Sequence, residues 1–185
     1  MMLQTLSLNR NEMKLQRLAG IALFTVLMVL SAKVEIWFGS PVPFTLQVMV
    51  ALLAGLVLGA WDGALSILAY LGLIVANLPV DAAGIGAAAF GGPTAGYLIG
   101  FVPGAFVAGW LVEHAAERTW LRWLAAFAGV AAIYAVGLPT LKMITGGTWS
   151  QAWEWGAYPF LGLDLLKAMI ATLLVASWHR YRQIR

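Results

Sequence analysis

Asp164 and Lys167 lie in Phe160-Leu161-Gly162-Leu163-Asp164-Leu165-Leu166-Lys167-Ala168, at the start of the last apolar run of the chain. A spacing of three places both side chains on one face of a helix. A charge at bilayer depth costs about 3 kcal/mol on insertion scales, so such groups face a protein interior and mark functional positions. A carboxylate accepts hydrogen bonds and an ammonium donates them. Together they offer a fixed acceptor and donor to a polar ligand. The competing reading is a self-neutralising pair that only ties helices together. Gly84-Ile85-Gly86 has the look of a nucleotide loop but lacks the preceding strand, the third glycine and the later acidic residue. These glycines read instead as flexible backbone lining a cavity. Lys33 and Glu35 read as a surface ion pair flanking the first helix, of small energetic weight. His114 and His179 have no second ligand at metal spacing, and the chain contains no cysteine, so a metal site and thiol chemistry are not expected. Ser66, Ser177 and the scattered threonines read as bonding their own helix carbonyls. No nucleophile–base arrangement supports an enzyme.

The elements that must position the pair follow from composition. The chain is 62% hydrophobic and 10% charged, against roughly 25% charge in soluble domains. Apolar runs occupy Leu18–Phe38, Phe44–Ala60, Gly63–Leu78, Tyr97–Val112, Leu121–Ile144 and Phe160–Trp178. Crossing the hydrocarbon core as a helix takes about 20 such residues. The runs are too continuous for barrel strands, and lipid leaves no other way to satisfy the backbone. The expected fold is all-α integral membrane, with about six transmembrane helices in one domain over residues 1–185. The first run is too long for a signal h-region and has no small-x-small cleavage site after it, so it reads as a retained helix.

Between the runs the breaks are chemically marked. Ser40-Pro41-Val42-Pro43 ends the first, and Trp61-Asp62-Gly63 reads as a tight turn. Pro79 to Gly96, apolar but rich in glycine and alanine, reads as a re-entrant or lid-like loop between the third and fourth helices. Glu113 to Arg118 reads as a short polar connection. Thr145 to Tyr158, with Trp149, Trp153 and Trp155, reads as an interfacial loop. Two runs of glycine spaced by four, Gly55-59-63 and Gly92-96-100-104, suit close helix packing, with a docking face for a partner as the alternative.

Basic residues set the orientation. With both termini in the cytoplasm, Arg10, Lys14, Arg17, Arg118, Arg122, Arg180, Arg182 and Arg185 lie on that side. Lys33 and Lys142 fall near the outer side. These residues flank apolar runs, so the formal charge of +3 does not point to nucleic acid. The Asp164–Lys167 pair then lies toward the outer face, where a captured solute would enter.

Several motifs resemble the BioY biotin-transporter family. They are Pro41-Val42-Pro43-Phe44-Thr45-Leu46-Gln47, Leu53-Ala54-Gly55-Leu56 with Leu58-Gly59, Asn77-Leu78-Pro79-Val80, Gly92-Pro93-Thr94-Ala95-Gly96-Tyr97-Leu98-Ile99-Gly100-Phe101, and Asp164-x-x-Lys167-Ala168. The resemblance covers nearly all the spans in order. It implies a substrate-binding S component of an energy-coupling-factor transporter in a bacterial inner membrane. Biotin would be the transported ligand, with no cofactor. The implied partners are a membrane T component and two cytoplasmic ATPases, beside membrane lipid and a possible homo-oligomer. Asp164 and Lys167 would bond the ureido head of biotin. The loop carrying Gly84 and Gly86, with Tyr97, would cover the ligand and hold its valerate tail. Phe44, Thr45 and Gln47 would stand at the pocket mouth.

The chain departs from the family at several points. Gly162-Leu163 replaces a common Pro-Gly, the loop after Val80 is shorter and less glycine-dense, and Ala22 is followed by Val26 where alanines four apart are frequent. Alternative readings are the same fold with another vitamin-like ligand, or a structural membrane subunit with no ligand.

Overall fold

The computed structural model describes residues 10–37, 39–114 and 119–184. Arg118, Arg185 and the Phe38 end of the first predicted span lie outside them, as do the side chains of Arg180, Arg182 and His179. The α-helices are α1 (Arg10–Ala32), α2 (Gln47–Leu58), α3 (Ala60–Val75), α4 (Ala95–Glu113), α5 (Thr119–Thr145), α6 (Trp149–Gly156) and α7 (Leu161–Ile184). A 3-10 helix, Gly86–Gly91, sits between α3 and α4. Two short strands, β1 (Glu35–Ile36) and β2 (Phe44–Thr45), pair antiparallel with Glu35 opposite Thr45.

Helix lengths divide the elements into two groups. α1, α4 and α5 are each long and apolar enough to cross a membrane. α6 and α7 meet at a 48° bend and qualify together as a fourth span. α2 and α3 have 12 and 16 residues, about 18 and 24 Å at 1.5 Å per residue.

Several boundaries differ from the sequence reading; Phe44 and Thr45, read as the start of the second span, form β2, and α2 begins at Gln47. The first predicted span runs to residue 38, but α1 ends at Ala32 and the chain turns at Lys33 into β1. Trp61-Asp62-Gly63 is the first turn of α3 rather than a loop. The corner is made one step earlier by Gly59, whose φ of +86° suits a residue without a Cβ. Thr145 to Tyr158 is not all loop either. Thr148 and Gln151 form a reciprocal capping box that starts α6, satisfying two end groups of the helix at once. Trp149 and Trp153 are exposed on α6, and the Lys142 ammonium lies 5.4 Å from the centre of the Trp149 ring.

The glycine spacing is a packing device within the chain. On α4, Gly96, Gly100 and Gly104 face α5: a Cβ at Gly100 would come within 2.8 Å of the Ile133 carbonyl oxygen, and one at Gly96 within 2.9 Å of that of Val136. Gly55 on α2 abuts the α4 backbone at Ala105 and Gly109. Gly92 precedes α4 and takes no part in this seam. Small residues let backbones meet where lipid provides no hydrophobic drive between helices. Ser66, Thr25, Thr140, Thr145 and Thr172 bond carbonyls three or four residues back in their own helices.

Candidate functional site

α7 begins where the chain bends after α6. The Phe160 amide bonds the Ala157 carbonyl, and the Asp164 amide bonds that of Phe160. Asp164 thus falls in the first turn of α7, where the exposed amide ends favour a negative charge. Asp164 and Lys167 are each only 5% exposed. The Lys167 Nζ donates to Asp164 Oδ1 at 2.7 Å and to the Thr45 carbonyl at 2.6 Å. It also stands 3.8 Å from the centre of the Phe44 ring, a cation–π placement. The other carboxylate oxygen, Oδ2, accepts the Tyr134 hydroxyl at 2.6 Å. Tyr134, in the middle of α5, is a member of the site that the sequence reading missed. Its hydroxyl inside an apolar span was the available signal, since a buried phenol needs a partner.

From this pair a second row of polar groups runs toward the α3–α4 loop. Thr45 Oγ1 donates to Gln47 Oε1 at 3.2 Å, and Gln47 Nε2 donates to the Tyr70 hydroxyl at 2.9 Å. The Tyr70 hydroxyl donates in turn to the Val80 carbonyl at 3.5 Å. Tyr97 meets Tyr134 edge to face at 6.0 Å, and its hydroxyl donates to the Gly156 carbonyl at 2.8 Å. The amide of Gln47 and the hydroxyl of Tyr97 are therefore already engaged with protein groups.

The loop is held by a buried carboxylate of its own. Asp81, 2% exposed, accepts the Gly86 amide at 2.8 Å and the Ile85 amide at 3.2 Å. Gly84 and Gly86 have φ of +67° and +61° and supply the bends this arrangement needs. Lys33 is not paired with Glu35. Its Nζ donates instead to the carbonyls of Pro79, at 2.7 Å, and Asp81, at 2.6 Å. The expected surface pair is replaced because two convergent carbonyls lie within reach of the ammonium.

These groups enclose a partly open cavity of about 70 Å³, several times the space one water needs. Of the residues singled out from sequence, Asp164, Lys167, Tyr97, Phe44 and Gln47 line it. Gly84 and Gly86 lie beside it, and their neighbours Asp81, Ala82, Ala83 and Ile85 form the loop's share of the wall. Trp37, Val48, Leu98, Phe101 and Phe160 make much of the rest apolar. A small number of placed polar groups in an apolar pocket fixes the orientation of a ligand. Two oxygen acceptors and the Phe44 ring surround the Lys167 ammonium, which lines the cavity. The carboxylate of Asp164 retains lone pairs beyond its two bonds. This combination can serve a group that both accepts and donates a hydrogen bond. Among the described residues no cluster of His, Asp or Glu suits a metal ion. His114 places its Nδ1 2.7 Å from the Trp110 carbonyl.

Comparison with known proteins gives a consistent pattern. The family model described as BioY family matches residues 5–184. The biotin transporter BioY of Thermotoga maritima is 40% identical over 162 residues, covering 86% of this chain and 94% of that protein. The biotin transporter BioY of Rhizobium etli is 38% identical over 143 residues, covering 72% and 76%. A crystal structure at 2.1 Å of the S-component for biotin from an ECF-type ABC transporter superimposes with a TM-score of 0.85. That chain is 26% identical, and the match covers 94% of this chain and 95% of that one.

Proposed function

The chain belongs to the BioY family, and from that premise we propose that it captures biotin and carries it across a membrane as the S component of an energy-coupling-factor importer. One observation carries the ligand assignment: a buried Lys–Asp–Tyr cluster that lines an otherwise largely apolar cavity. The ureido ring of biotin has the carbonyl and N–H groups that such a cluster can bond. Lys167 donates to the ureido oxygen and Asp164 accepts an N–H. Tyr134 keeps the carboxylate aimed, and Phe44 covers one side of the ammonium. The thiolane ring and the methylenes of the valerate chain suit the apolar walls. No bond of the cargo is made or broken, and biotin is ligand rather than cofactor.

The same reading assigns the remaining parts. α1, α2, α3, α4, α5 and α7 are the crossing helices of one transmembrane domain, with the two short ones sheltered by their neighbours. The segment from Asn77 to Thr94 acts as the lid. Gly84 and Gly86 shape it, while Tyr97 holds the Gly156 carbonyl and Gln47 holds the Thr45 and Tyr70 hydroxyls more than they touch the ligand. Both termini face the cytoplasm of a bacterial cell, where a T component and two ATPases supply the energy.

Equilibrium binding of labelled biotin to the purified chain tests the proposal, with Asp164→Asn and Lys167→Ala alongside. Tight binding by the native chain, lost in both variants, is the expected result. Binding of another vitamin in place of biotin, or of no vitamin at all, overturns it.

A further inference from the structure

The loop between α3 and α4 is tied on two sides by different elements. Val80 points its carbonyl toward Tyr70, and so toward the chain of hydrogen bonds that ends at Lys167. The carbonyls on either side of it, from Pro79 and Asp81, converge on the Lys33 ammonium just beyond the end of α1. The two Lys33 bonds are shorter, at 2.7 and 2.6 Å against 3.5 Å for Tyr70, and a cationic donor makes them the stronger tie. Asp81 links this anchor to the cavity. Its carbonyl is held by Lys33, its carboxylate gathers the Ile85 and Gly86 amides, and it lines the cavity wall.

We propose that Lys33 is a positioning residue of the binding site: it clasps the backbone at Pro79 and Asp81 and so keeps the loop in the shape that closes the cavity wall. The proposal rests on the reading of the cavity as a biotin site, and it assigns Lys33 no contact with the ligand. A lysine suits the task because its three protons can serve two carbonyls at once. Its cost to folding is small, since the ammonium stays partly in solvent. Without the clasp the loop retains the Tyr70 bond and its internal turns, so the wall forms but opens more often. Opening frequency governs how fast a bound ligand leaves.

Two readouts on the full chain test this. In ligand-free protein, hydrogen exchange at the amides of Ile85, Gly86 and Ala87 should accelerate roughly tenfold in Lys33→Met. Amides along the α4–α5 seam should keep their native rates, which separates a clasp from general destabilisation. In biotin-loaded protein, the dissociation rate of Lys33→Met should rise by a similar factor of about ten with little change in association. Lys33→Arg, which can still reach two carbonyls, should recover most of both losses. If Lys33→Met does not purify as folded protein, Lys33→Gln is measured in its place. Native exchange and native dissociation in the variant overturn the proposal. Accelerated exchange at those amides in a chain that never binds biotin keeps the clasp and overturns the ligand assignment.

Discussion

Arg17–Asp62 and Asp164–Lys167 are ion pairs of nearly equal length, 2.6 and 2.7 Å, in opposite surroundings. The first joins α1 to α3 through a two-pronged contact, with Nε and Nη2 each bonding one carboxylate oxygen. Its arginine side chain is 65% exposed and its aspartate 15%, so water competes for the guanidinium and the contribution is small. The second is 6% and 7% exposed. There water does not compete, and the desolvation of both charges has to be offset by neighbours. Thr45, Phe44 and Tyr134 provide those neighbours without exhausting the bonding capacity of the pair. A short distance therefore says little about role. What separates the two pairs is burial and the donor and acceptor capacity left over.

The contrast is open to direct attack. The largest effect is expected from Asp164→Asn or Lys167→Ala, each raising the biotin Kd by about 100-fold or more in calorimetric titration, because a buried charge is left alone. The double variant Asp164→Asn with Lys167→Met should recover much of the thermal stability lost in Lys167→Ala while remaining unable to bind. A chain whose pair is purely architectural would show no binding in any version, and that outcome would erase the distinction. Tyr134→Phe should weaken binding by roughly five- to tenfold, the scale of one hydrogen bond, as read by tracer competition. Smallest of all, Arg17→Ala should leave biotin affinity at its native value and lower the melting temperature only slightly. A large loss of affinity there would contradict the contrast.

How much of this was legible in the sequence depended on whether a residue's partner lay nearby in the chain. Asp164 and Lys167 announce themselves because their partners are three residues apart in an apolar run. Tyr134 shows in the sequence only as a hydroxyl inside an apolar span, because its partner is 30 residues away on another helix. Asp81 was passed over inside a glycine- and alanine-rich stretch, although a lone carboxylate among small apolar residues carries the same signal as Asp164. Lys33 was assigned to Glu35, its sequence neighbour, when its partners are carbonyls 46 and 48 residues on. The mostly helical fold was readable, since long apolar runs leave the backbone few other ways to pair. α6 was hidden behind Gly146-Gly147 and the tryptophans. Its Thr148-x-x-Gln151 capping signature was there to be read. The loop glycines read as backbone lining the cavity, but the structure uses Gly84 and Gly86 as bends and the lining falls to Asp81, Ala82, Ala83 and Ile85 between and beside them.

The seam between α4 and α5 has a mechanical consequence. At Gly100 the backbone of one helix rests on that of the other, so no side-chain rotamer is available there to absorb sliding. Tyr97 and Tyr134 ride on these two helices with their rings in contact, and the Tyr97 ring lies against Gly137 of α5. On this side the cavity wall is built on backbone packed directly against backbone. Among the described residues, the other walls, namely the loop around Asp81, the strand turn carrying Phe44 and the start of α7, have no such backbone-on-backbone contact with α4 at Gly100. Close backbone contact thus fixes the spacing of two aromatic rings that side chains alone would leave free to drift.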